Sequence, residues 1–124
     1  MDISNDDIPD MWIKLHYLPN NERERSHLFS AYEKLHELVR NDPETAWHFL
    51  QKMWKLDTTD QMLANIAAGP LEDLLRYHGE RLIDRIEEMT QSDPVFKKML
   101  GAVWRNTIPD DVWNRVKAVA GPSF

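Results

Sequence analysis

Apolar residues recur at three- and four-residue spacing along almost the whole chain, the signature of helices that bury one face. Leu28, Tyr32, Leu35, Leu38 and Val39 form one such stripe, and Leu71, Leu75, His78, Leu82, Ile86 and Met89 form another. Trp47, Leu50, Met53 and Trp54 repeat the pattern, as do Val95, Phe96, Met99, Leu100, Val103 and Trp104. The aromatics of these stripes are expected in the core with the aliphatic residues around them. No convincing strand pattern is present, so the fold class is all-α.

Capping residues divide the stripes into about seven helices, over 6–18, 22–40, 43–56, 59–68, 71–90, 94–105 and 109–120. Asp42-Pro43 and Asp93-Pro94 each set a capping carboxylate before a proline at the first helical position, where its missing N–H costs nothing. Gly69-Pro70 and Gly121-Pro122 follow apolar stretches and read as stops, with glycine left-handed after the helix and proline preventing continuation. Gly79 falls on the apolar side of the fifth helix, which predicts either a close helix approach there or a break at His78-Gly79.

The landmarks also repeat. Pro19 and Pro70 are 51 residues apart, as are Asp42-Pro43 and Asp93-Pro94, and Gly69-Pro70 and Gly121-Pro122 are 52 apart. This spacing predicts two tandem three-helix units, at about 20–69 and 71–121, within a single helical domain. Ile8-Pro9-Asp10-Met11-Trp12 echoes Ile108-Pro109-Asp110-Asp111-Val112-Trp113, so the helix at 6–18 is expected to cap the stack. Units of this length stack into a solenoid or a compact bundle.

Composition narrows the function. Fifteen Lys and Arg against 21 Asp and Glu leave a net charge of −6 in 124 residues, with no cysteine. Disulfides and thiolate chemistry are thereby excluded. The acidic start from Met1 to Asp7 lacks the pattern of a secretory signal, and no apolar run has membrane-spanning length. A soluble, cytoplasmic protein is expected, without membrane or nucleic-acid partners, because phosphate binding needs clustered basic residues. The negative charge suits a basic protein partner.

Catalytic and metal signatures do not assemble. Glu33-x-x-His36 has the spacing of half a di-iron site, but that chemistry needs a second such pair and two further carboxylates facing it. The remaining histidines, His16, His27, His48 and His78, are scattered, and there is no phosphate-binding glycine loop or serine elbow. No metal or cofactor is expected. The segment from Gly69 to Glu80 nevertheless concentrates Glu72, Asp73, His78 and Glu80 around special backbone residues. Glu72 and Asp73 suit a first helical turn, where carboxylates complement the helix dipole. Alternatively, these side chains form a partner- or ligand-binding spot in which His78 changes charge near neutral pH.

Gly69-Pro70-Leu71-Glu72-Asp73-Leu74-Leu75, followed by His78-Gly79, resembles the pattern of a family of small, uncharacterised bacterial helical proteins. The resemblance continues through Ile83–Glu87, Asp93-Pro94, Leu100-Gly101, Val103-Trp104 and Asp110–Trp113. It implies a bacterial, cytoplasmic helical domain and supplies no catalytic residue. The leading functional expectation is a noncatalytic protein-interaction module, in its most specific form an immunity or antitoxin-type inhibitor of a basic protein. The alternatives are a small-ligand-binding or enzymatic domain using Glu72, Asp73 and His78, and a repeat that forms a homo-oligomer.

Overall fold

The computed structural model describes residues 5–18 and 22–124. After a single 3-10 turn at Asn5–Asp7, the chain forms α1 (Ile8–Tyr17), α2 (Glu22–Asn41), α3 (Pro43–Leu56), α4 (Asp60–Ile66), α5 (Glu72–Ser92), α6 (Pro94–Leu100) and α7 (Asp110–Val119). No strand occurs among the described residues, in agreement with the all-α expectation. None of their helices is long and apolar enough to cross a membrane. Pro19, the first landmark of the sequence duplication, and the turn at 20–21 lie outside the described residues, as does the acidic start before residue 5.

Both Asp-Pro starts form as expected. Asp42 accepts from Thr45 N at 3.3 Å, and Asp93 accepts from Val95 N and Phe96 N at 3.0 and 3.1 Å, each just before a proline-led helix. The helices close around one core. Trp54 and Phe96 meet at a tilt with centroids 4.8 Å apart, Trp47 meets Phe96 edge-on at 5.5 Å, and α1 adds the buried Ile8 and Trp12 against α2 and α3.

The Gly69-Pro70 stop is not realised. The backbone runs on from α4 through a π-helical turn at Ala67–Leu71 into α5, with Glu72 N–H donating to the carbonyl of Ala67 five residues back. The reason is legible in the burial pattern. Met62, Ile66, Pro70, Leu74, Leu82 and Ile86 are buried at multiples of four residues, and so are Leu63, Ala67, Leu71, Leu75, Gly79 and Ile83. Every fourth residue drifts by about 40° per step around an ideal α-helix, so a straight α-helix cannot keep these rows against one core. The wider π turn takes up part of that drift, and it accommodates a proline that an α-helical interior would reject. A second adjustment follows at His78, whose φ/ψ of −136°/22° kinks α5.

At Gly79 both predicted features coincide. The kink sits beside it, and a Cβ there would lie 2.7 Å from Val112 Cγ1, so α7 approaches α5 closely at this point.

Two further expectations are corrected. No glycine among the described residues has a positive φ, so neither Gly69 nor Gly121 acts as a left-handed cap; α7 ends instead with Ala120 extended, and Gly121 N–H donates to the Lys97 carbonyl at 3.0 Å. The sixth helix ends at Leu100 instead of 105. The C-terminal segment crosses so near that a Cβ on Gly101 would lie 2.5 Å from the Gly121 carbonyl oxygen, and three-residue turns lead the chain out of α6.

Candidate functional site

The start of α5 displays consecutive side chains in different directions, because neighbours on a helix point about 100° apart. Glu72 faces the α6–α7 loop, where Asn106 Nδ2 donates to its Oε1 at 2.6 Å. Asn106 has a φ of 43°, a left-handed conformation that asparagine tolerates better than most residues. Arg105 pairs with Asp110, and Val103 and Ile108 anchor the loop in the core. The loop is thus pinned on both sides of Trp104. That side chain, expected in the core at the end of a longer helix, is 73% exposed.

Asp73 turns the other way, toward α2, where its Oδ2 lies 3.9 Å from His36 Nδ1. Partial burial raises its pKa above the ordinary carboxylate value, against the lowering pull of His36, Arg76 and Arg40. Asp73 and His36 edge a recess between α1, α2 and the π turn, with Trp12, Leu35, Val39 and Pro70 as its apolar walls. Its enclosed space is about 20 Å3, room for a water or a methyl group and far below a typical substrate pocket. A Cβ on Gly69 would meet nothing within 4 Å, so this glycine opens the turn to solvent without being required by packing.

His78 belongs to a third contact. Its Nε2 donates to the Arg40 carbonyl at 2.9 Å, satisfying one of the carbonyls that the end of α2 leaves without a helical partner. Beside it, the guanidiniums of Arg40 and Arg76 lie over the Tyr77 ring, with Cζ 5.1 and 4.8 Å from its centroid. Glu80, two residues past the kink, is exposed.

The four sequence-predicted residues therefore do not converge. Glu72 fixes a loop, Asp73 edges a small recess, His78 caps a helix end and Glu80 faces water. The surface around them is what the sequence reading missed. Phe29 and Tyr32 stack at 5.3 Å on the outside of α2 and are 45% and 41% exposed, although the stripe pattern places Tyr32 in the core. Phe29, Tyr32, His36 and Arg40 follow one another at three- and four-residue steps along α2, and Asp73 and Tyr77 meet this row from α5. The step pattern was visible in the sequence; which side of α2 it occupied depended on where α1 and α5 pack.

Among the described residues, no group of three His, Asp or Glu side chains is arranged to hold a metal ion. The turn at 67–71, the pinned loop and the outer row of α2 thus lie around the start of α5 in an all-helical domain. The chain belongs to the family of unknown function DUF6869, which it matches over residues 19–123. No curated protein and no solved structure matches it.

Proposed function

We propose that this domain is a noncatalytic protein-interaction module whose binding face surrounds the start of α5. The observation that carries this reading is the exposure of large aromatics on both sides of one turn, Trp104 on the loop held by Glu72 and Phe29 with Tyr32 on the helix faced by Asp73. Tryptophan, tyrosine and arginine dominate the energetics of protein interfaces because they bury a large area for few rotatable bonds. A pinned loop also loses little freedom on binding.

The partner proposed is a basic protein, since a net charge of −6 steers association with cationic surfaces. Asp6, Asp7, Asp10, Glu33, Glu37 and Glu80 are all exposed and available to such a field. The most specific form of this reading is a bacterial immunity or antitoxin-type inhibitor acting in the cytoplasm.

Affinity capture from a host lysate, with Tyr32→Ala and Trp104→Ala proteins in parallel, tests it. A basic protein retained by the parent chain, released by moderate salt and lost with either variant is the expected result. Recovery of no protein overturns the module, and equal recovery by both variants overturns the assigned face. Light scattering of the purified chain distinguishes self-association from a heterologous partner.

A further inference from the structure

Six of the arginines fall into two groups. Arg81, Arg85, Arg105 and Arg115 are each held by a carboxylate of a neighbouring segment. Arg40 and Arg76 make no such ion pair among the described residues and are instead brought together on one tyrosine ring, their guanidinium carbons within about 10 Å of each other. Stacking occupies the flat face of a guanidinium and leaves its N–H edge free, with the donors held in a planar fork that matches an oxyanion.

We propose that Arg40 and Arg76, ordered on the Tyr77 ring, form a clamp for an oxyanion of the carboxylate or phosphate class. The site lies at the C-terminal end of α2, and its backbone is fixed from below by the His78 hydrogen bond to the Arg40 carbonyl. Asp73 is the neighbouring carboxylate whose charge both arginines favour, so it competes electrostatically with an incoming anion and sets the affinity. The clamp does not rest on the protein-partner reading, because capture of a protein can fail while a small anion still titrates.

The test is an NMR titration of the full chain with sodium phosphate and, separately, sodium acetate, each replacing chloride at constant ionic strength. Saturable shifts of the Arg40 and Arg76 Nε–Hε resonances are expected. Saturation by phosphate alone assigns a phosphoryl ligand, and saturation by both anions extends the site to carboxylates. Arg40→Gln and Arg76→Gln should each weaken binding roughly tenfold or more, the loss of charge-assisted hydrogen bonds, and Asp73→Asn should tighten it several-fold. Should a glutamine variant disturb the amide spectrum as a whole, Arg76→Lys retains the charge without the fork and should still bind more weakly. Shifts that fail to saturate with either anion, or affinity unchanged in Arg76→Lys and the folded glutamine variants, would overturn the clamp.

Discussion

The carboxylate of Asp93 serves two elements, with Oδ1 capping α6 through Val95 and Phe96 and Oδ2 accepting the indole N–H of Trp54 at 2.9 Å. Asp42, its counterpart before α3, bonds to Thr45 in its own helix. Trp54 is 1% exposed, so its N–H has no water to turn to. Asp93→Ala should therefore cost about 2–4 kcal/mol, combining a lost cap with a buried donor left unpaired, and Asp42→Ala only about 1 kcal/mol. Denaturant unfolding of the two variants checks this; equal losses would mean that the indole bond contributes nothing.

Gly79 offers a second test, because the β-branched Val112 opposite it is stiff and cannot swing clear of an added methyl. Overpacking outweighs the gain in helix propensity, and Gly79→Ala should destabilise by about 1–2 kcal/mol. Combined with Val112→Ala, the loss should be smaller than the two single losses together, by on the order of 1 kcal/mol. Strict additivity would show that the close approach is relaxed in solution.

Two carboxyl groups predict opposite responses to acid. The hydrogen bond from Arg85, joined by Arg81 and opposed by desolvation, lowers the pKa of Glu44 from 4.5 to about 2. Its folded pKa lies below the unfolded one, so the stability it contributes is present above pH 4.5 and is lost as pH falls from 4.5 towards 2. Burial raises Asp73 instead, so its ionisation opposes folding once the pH rises above 3.8. Glu44→Gln should lower Tm at pH 7 and do so progressively less as the pH falls from 4.5 through 2, whereas Asp73→Asn should raise Tm at pH 7 and leave it unchanged near pH 3. Melting curves across this range test both signs.

Trp104 should behave as a surface residue despite being a tryptophan. Trp104→Ala is expected to change stability by no more than about 0.5 kcal/mol, against about 3–5 kcal/mol for Trp54→Ala in the core. The iodide-quenchable part of the intrinsic fluorescence should fall sharply in the Trp104 variant. Persistence of that component would place the accessible indole elsewhere.

The sequence carried the helices more faithfully than their ends. Asp42-Pro43 and Asp93-Pro94 announced two starts because a capping carboxylate acts within one turn of chain. Gly69-Pro70 misled because proline stops only an α-helix, and the signal for a π turn lay in the strict four-residue spacing from Met62 to Ile86, longer-ranged than any cap. The early end of α6 was hidden for a different reason. It is imposed on Gly101 by the Gly121-Pro122 backbone, 20 residues later in the chain. At the site, the segment containing Glu72, Asp73 and His78 stands out in the sequence by its backbone residues, but the partners Asn106, His36 and the Arg40 carbonyl come from distant elements. Nothing local distinguishes Arg40 and Arg76 from the arginines that form ion pairs.

The π turn also sets how this chain can vary in length. Ala68 is exposed, and substitution there should pass almost unnoticed. Removing a single residue from 67–71 is a different event, for an α-helical turn of four residues covers about the same rotation as the wide turn does in five. Arg81 and Arg85 would stay beside Glu44 and Leu82 and Ile86 in the core, while Pro70 would lose the room that the wide turn gives it. Related chains that keep this architecture should therefore tolerate one residue fewer between Ile66 and Glu72 where no proline stands at the position of Pro70.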